Sequence, residues 1–274
     1  MIKRKFSPGS EWLYLKIYCG VKTSDIILEE SITPLIASLK KEKLIDKWFF
    51  IRYNDPKPHL RLRFHFSDLS RFEKIVQIVN SQFKNFVDSG EIVNIQIDTY
   101  VRELERYGSA TIELAESLFW KSSELLLGFL DDEDEEKIIV SIFYLEQVLL
   151  ALGLSTIEKM DWISQSNTAF RKEFNIDKNL NSQLKRKFLE FKPKYDVFVD
   201  SNEFEEIRDL ISGNISDSED IFKELLKYDQ DFLASFFQSI FHMHINRAFT
   251  SNQRLFEMVI YDCLYRYNKI LKLK

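Results

Sequence analysis

The segment Trp48-Phe-Phe-Ile-Arg-Tyr-Asn-Asp-Pro-Lys-Pro-His-Leu-Arg-Leu-Arg-Phe-His-Phe66 holds the densest set of groups able to do chemistry. Its second half alternates without a break. His59, Arg61, Arg63 and His65 fall on one side of a strand, and Leu60, Leu62, Phe64 and Phe66 on the other. A strand that buries one face and offers bases and cations on the other suits an anionic ligand. A guanidinium keeps its charge and grips a carboxylate through two parallel hydrogen bonds. The competing reading pairs these cations with surface glutamates on an exposed sheet.

Two further clusters deserve the same weighing. In Asp98-Thr-Tyr-Val-Arg-Glu-Leu-Glu-Arg-Tyr-Gly108, Arg102 and Arg106 stand four apart, so any helical turn brings them together. Glu103 and Glu105 can neutralise them locally. Around 235–247, Ser235, Gln238, His242 and Asn246 form a polar stripe through Phe232, Phe236, Phe237, Ile240 and Phe241. His244 lies about 200° round the helix from His242 and leaves that face. Buried polar groups need partners, so a satisfied core histidine competes with a proton-transferring one. Metal chelation fares poorly: His242 and His244 diverge, and His59 and His65 are ~20 Å apart along a strand. No phosphate loop, dinucleotide fingerprint, Cys-x-x-Cys or nucleophile elbow occurs, so no cofactor is implied.

The elements that must position these groups read as β, α, β, β, α, β. Glu11–Cys19 alternates Trp12, Tyr14, Lys16 and Tyr18 with Leu13, Leu15 and Ile17. Asp25–Lys43 has helical spacing, with Ser24 as its N-cap. Lys47–Tyr53 and His59–Phe66 are strands joined by a Pro-containing turn. A helix opened by Ser67 or Ser70 runs to about Val87, and Ile92–Tyr100 is the fourth strand. That order predicts an α+β chain with an N-terminal ferredoxin-like, split-βαβ sheet. Its first and third strands are central neighbours, so Tyr14, Lys16 and Tyr18 converge with Arg61 and Arg63. From Gly108 the pattern turns helical: 110–130, 135–152, 156–173, 181–191, 203–211, 218–226, 231–249 and 252–271. The expectation is one domain over 1–274, an α+β part to 107 and a large helical part from 108, with a ligand cleft between them.

Composition bounds the partners. With 24 Phe and 11 Tyr against 7 Gly and 5 Pro, aromatic packing is heavy and helix breakers are few. A net charge of −5 argues against bulk binding to nucleic acid or an anionic membrane, so any basic site is local. No apolar run reaches the ~20 residues a membrane span requires. The N-terminus lacks the apolar core of a signal peptide. Cys19 and Cys263, far apart, do not read as a disulfide framework, and the expected location is the cytoplasm.

Three motifs carry a resemblance: Trp48-Phe-Phe-Ile-Arg-Tyr-x-Asp-Pro-x-x-His-Leu-Arg-Leu-Arg63, Asp98-Thr-Tyr-x-Arg-Glu-x-Glu-Arg-Tyr-Gly108 and His242-Met-x-x-Asn-Arg247. With Glu11-Trp-x-Tyr-x-Lys-x-Tyr18, they resemble the C-terminal domain of class I lantibiotic dehydratases, also called the thiopeptide-type bacteriocin biosynthesis domain, over essentially the whole chain. The resemblance implies a lyase that eliminates glutamate from glutamylated Ser or Thr of a ribosomally made precursor peptide, leaving dehydroalanine or dehydrobutyrine. It implies a free-standing form that needs a separate glutamylating subunit; a homodimer is compatible with it. The family's elimination residues match Arg61, Arg63, Arg102 and His242. Tyr14, Lys16, Tyr18, Arg52, Arg106 and Asn246 complete the expected substrate-binding set. Similar stand-alone members form a pyridine ring by [4+2] cyclisation and expel the leader peptide. Outside enzymology, the open aromatic and basic sheet resembles a peptide- or RNA-binding platform, against which the net charge speaks. The chain departs from the family pattern at Gly108-Ser109, often Gly-Gly, and at Lys121-Ser122-Ser123, where an Asp-Ser pair is common.

Overall fold

The computed structural model describes residues 2–271. It begins with a short strand, β1 (Lys5–Phe6), then β2 (Trp12–Cys19), whose burial alternates with its sequence at Lys16 and Tyr18. The first helical run is continuous but not uniform: α1 (Thr23–Ile27), a π-helical turn at Leu28–Ile32, then α2 (Thr33–Lys41). Ser24 is not the N-cap expected of it. It lies inside the first turn, donating to the Val21 carbonyl and accepting from Arg52. Next come β3 (Lys47–Tyr53), β4 (His59–His65), α3 (Phe72–Asp88) and β5 (Ile92–Asp98). Asp68, not Ser67 or Ser70, caps the turn before α3 by accepting from the Ser70 N–H at 3.1 Å.

The larger sheet is antiparallel in the order β3-β4-β2-β5. β2 lies beside β4, with Tyr14 opposite Arg63, Lys16 opposite Arg61 and Tyr18 opposite His59. One face supplies Leu13, Leu15, Trp48, Phe50, Leu60 and Leu62 to a core shared with the first helical run and α3. Burial of that face, ~25 cal/mol per Å² of apolar surface, fixes the register, since a slip of one residue would turn it outward. The fourth strand stops at Asp98 rather than Tyr100. The chain then forms β6 (Tyr100–Val101), which pairs with β1 in a separate ribbon.

After α4 (Leu104–Tyr107), Gly108 turns the chain with φ of 75°, a conformation that favours glycine. α5 (Ile112–Leu127) follows and packs along β3. The remaining helices are α6 (Asp134–Ala151), α7 (Thr156–Glu173), α8 (Lys178–Asp200), α9 (Glu205–Ser216), α10 (Glu219–Leu225), α11 (Gln230–Ala248) and α12 (Gln253–Leu271). The expected helix at 181–191 is longer at both ends. Asp177 caps it, and its buried stripe of Leu184, Phe188, Phe191, Tyr195 and Phe198 continues past Pro193.

Two compact units result, and their division is not at 107/108. The first comprises 1–131 with 238–251, and the second 132–237 with 252–274. The physical reason lies at β3, an edge strand. Its outward backbone groups are met by side chains of the first unit. Ser123 accepts from the Phe50 N–H (3.3 Å), Asn246 accepts from the Arg52 N–H and donates to the Arg52 carbonyl (both 3.0 Å), and Arg247 donates to the Phe50 carbonyl (2.7 Å). Polar side chains thus close an edge that would otherwise recruit another strand. In the second unit, Ser155 and Glu158 form a reciprocal cap on α7, and the buried Glu146 carboxylate accepts from Tyr195 (2.7 Å) and Asn268 (2.9 Å).

Candidate functional site

The face of the large sheet opposite its core carries Tyr14, Lys16, Tyr18, Phe49, Ile51, His59, Arg61 and Arg63. Arg63, 6% exposed, sits among rings: its guanidinium carbon is 4.3 Å from the centre of Tyr14, 4.8 Å from Tyr100 and 5.1 Å from Phe49. Its Nε and Nη1 are buried and have no hydrogen-bond partner among the described residues. Among the described residues no carboxylate is within salt-bridge distance of it, although Glu103 acts on it electrostatically. Burial lowers its hold on its proton, opposed by the phenols around it, yet a guanidinium stays charged at working pH. A buried cation with open donors is costly, and an anion is the partner its chemistry suits. A hollow of about 30 Å³ adjoins it, lined also by Val101, Glu103, Tyr107, Phe119, Met243 and Arg247. All of these belong to the first unit. That room takes ordered water or the head of a carboxylate.

Arg61 is less buried. Its guanidinium carbon stacks 3.4 Å from the Tyr53 ring centre, and its Nε donates to His59 Nε2 at 3.1 Å. His59 Nδ1 lies 2.8 Å from the Lys57 carbonyl, so both ring nitrogens are engaged and burial lowers its proton affinity. Lys16, opposite Arg61, pairs with Asp98 at 2.5 Å; that hydrogen bond raises the amine's proton affinity and lowers the carboxyl's. Tyr18 reaches Gln96 at 3.5 Å.

Arg102 is the opposite of Arg63. Its fork is filled by Glu116, Nε to Oε1 at 2.8 Å and Nη2 to Oε2 at 2.7 Å, with Glu113 at 3.3 Å. Glu116 is fully buried and also accepts from Tyr100 Oη at 2.8 Å. The spacing argument set Glu103 and Glu105 against Arg102, but the true partner comes from α5. Glu103 pairs instead with Arg106, which is 44% exposed at its side chain.

The sequence profile described as lantibiotic biosynthesis dehydratase C-term matches residues 12–268. The chain belongs to that family. The chain is similar to the nisin biosynthesis protein NisB of Lactococcus lactis subsp. lactis, 29% identical over 283 residues, 96% of this chain and 26% of NisB. The epidermin biosynthesis protein EpiB of Staphylococcus epidermidis is 25% identical over 99% of this chain and 27% of its own length. The chain thus spans about a quarter of the length of these curated relatives. In fold it is similar to the tRNA-dependent lantibiotic dehydratase MibB from Microbispora sp. 107891, with a TM-score of 0.78 at 17% identity, over 98% of this chain and 29% of MibB. It is also similar to the pyridine synthase TbtD from thiomuracin biosynthesis, with a TM-score of 0.63 at 12% identity, over 95% of this chain and 100% of TbtD.

In this dehydratase C-terminal chain the structure gathers Tyr14, Lys16, Arg61 and Arg63 on one sheet face, with Tyr18 beyond them. Arg52 corrects the expected substrate set: it points to the other face, where Asp25, Ser24 and the Arg247 carbonyl hold it. Asn246 is taken up by the β3 backbone. His242 is half-buried on α11 and next to Met243, which lines the hollow, while Ser235 and Gln238 of the expected stripe are exposed. The fully buried histidine of α11 is His244, whose Nδ1 is 2.9 Å from Ser122 Oγ. Burial pushes its pKa down to about 3. Phe49, Tyr100 and Tyr107 escaped selection as aromatic residues of ordinary strands and turns. Burial pushes the Tyr107 hydroxyl up to about 12, and Tyr100 is raised well above its usual value by burial and Glu116. Both phenols therefore keep their protons at working pH, and Tyr100 donates to Glu116.

Proposed function

We propose that this chain eliminates glutamate from glutamylated Ser or Thr of a precursor peptide, completing a dehydration that glutamylation begins. In the reaction a base takes the Cα proton, the Cα–H electron pair forms the Cα=Cβ bond, and the Cβ–O bond breaks. The products are a dehydroamino acid residue and glutamate, whose departing carboxylate takes the electron pair. Charge develops on the leaving group, where fixed guanidinium donors stabilise the transition state more than the bound ester.

The observation that carries the reading is Arg63, buried in rings with Nε and Nη1 unpartnered beside a carboxylate-sized hollow. Arg63 and Arg61 take the glutamyl carboxylates. Arg102, its fork occupied, serves by holding Glu116 and through it the Tyr100 ring that walls Arg63. His242 is assigned the Cα proton on its place beside Met243. We also read the four-stranded sheet, in the order β3-β4-β2-β5, as the split-βαβ arrangement. The test is the purified chain mixed with a glutamylated peptide and followed by mass spectrometry. Loss of glutamate is expected, and intact ester after long incubation overturns the reading. A second reading, pyridine formation, is favoured by the likeness to TbtD; a multiply dehydrated peptide offered to the same chain tests it.

A further inference from the structure

The two edges of the large sheet are treated differently. β3 is sealed by side chains at Phe50 and Arg52, so Phe49, Ile51 and Tyr53 turn their backbone groups to β4. Following the alternation across the registers, Arg61 and Arg63 bond β3, Leu60 and Leu62 bond β2, and Lys16 and Tyr18 bond β5 through Gln96 and Asn94. Ile95 and Ile97 are left to direct their N–H and C=O groups away from the sheet. Among the described residues nothing bonds to them. This edge has no proline and no lysine, and Val93 and Ile97 are 78% and 44% exposed. It lacks the usual protection against strand addition.

We propose that β5 seats the backbone of the peptide substrate, an extended stretch of which pairs with Ile95 and Ile97 as a fifth strand. The proposal rests on the peptide-modifying reading above. Three features commit the edge to the substrate. First, β5 leads directly into Tyr100, Val101 and Glu103, which line the hollow beside Arg63. Second, a peptide residue set opposite Gln96 points its side chain onto the Lys16–Arg61 face. Third, the reach is right: the added strand stands ~14 Å from β4, three strand spacings. A glutamyl ester arm of ~9 Å and an arginine side chain of ~6 Å together cover that gap once the Arg61 guanidinium leaves its stack on Tyr53.

The test uses the whole chain and a short synthetic Ser/Thr peptide carrying a glutamyl amide in place of the ester, which binds without reacting. Amide hydrogen exchange across 92–98 is expected to slow when the peptide is added. Ile97→Pro removes one outward N–H while leaving the ladder to β2 intact. It is expected to weaken peptide binding about threefold to tenfold, the worth of one hydrogen bond, with unchanged circular dichroism. N-methylation of the peptide at alternate residues gives the same loss on the unaltered protein, so a variant that fails to fold leaves the test standing. Unchanged exchange and undiminished affinity for the N-methylated peptide overturn the proposal. So does concentration-dependent protection of β5 without peptide in a sedimenting dimer, which gives the edge to a second copy. Wild type that binds with β5 protection yet leaves a true ester intact overturns the elimination reading instead.

Discussion

Arg63 and Arg102 are both buried in the same unit, and they have opposite fates. Arg102 is gripped at both ends of its fork by Glu116, whereas Arg63 is surrounded by rings, keeps Nε and Nη1 unpartnered and lines a hollow. A buried cation with an ideal carboxylate partner is part of the scaffold. One without a partner is a cost that a bound anion would relieve, as the proposed elimination requires. The contrast teaches that arginine type and spacing nominate both residues equally, and only the partner supplied by another element separates them.

The largest effect should come from breaking the paired case. Glu116→Ala strands a buried guanidinium and is expected to cost about 3–5 kcal/mol of stability, read by urea denaturation. A loss under 1 kcal/mol would put Arg102 back among candidate ligand-binding groups. Arg63→Met keeps the volume and removes the charge. Elimination is expected to fall about 100-fold, roughly 2.7 kcal/mol of transition-state stabilisation, with stability held or raised. A variant that unfolds while a rescued fraction stays active would reverse the assignment. Added glutamate at ten times its dissociation constant should stabilise wild type by about 1.4 kcal/mol and Arg63→Met by nothing, checked by thermal melting.

The same contrast divides the histidines. His244 is neutral in the fold with its pKa pushed down to about 3, while an unfolded histidine titrates near ~6.5. Between those values the unfolded chain binds the extra proton. Stability is therefore expected to fall as pH drops below about 6.5, by up to about 1.4 kcal/mol per pH unit. His244→Phe should flatten that slope. Smallest of all, Arg106→Ala removes an exposed ion pair and a hydrogen bond to the Tyr107 hydroxyl and should move stability by less than about 1 kcal/mol.

Much of this was legible in the chain. The alternation of Leu60, Leu62 and Phe64 against Arg61 and Arg63 gave both the strand and its buried face, because a period of two admits one answer once a core is present. It also put Tyr14 across from Arg63. Arg52 misled because it belongs to the apolar side of β3, where Asp25 of α1 neutralises it from 27 positions away. Glu116 was invisible as a partner for Arg102 for a similar reason: a helical i+3 or i+4 rule sees Glu103 and Glu105, not a carboxylate arriving on α5. The Lys121-Ser122-Ser123 departure turned out to be useful, as Ser122 meets His244 and Ser123 meets Phe50. Distances in sequence, more than residue types, set the limit.

The sealing of β3 has a consequence for synthesis. Its closing contacts, Arg52 with Asn246 and Phe50 with Arg247, join positions 194 and 197 residues apart. On the ribosome the strand must wait, exposed along that side, until Asn246 and Arg247 have emerged, and closing so long a loop carries an entropic cost that local contacts do not. A nascent chain that stalls before Gln238 would carry an open strand ready to pair with its neighbours, and premature termination there should yield aggregate rather than a soluble fragment.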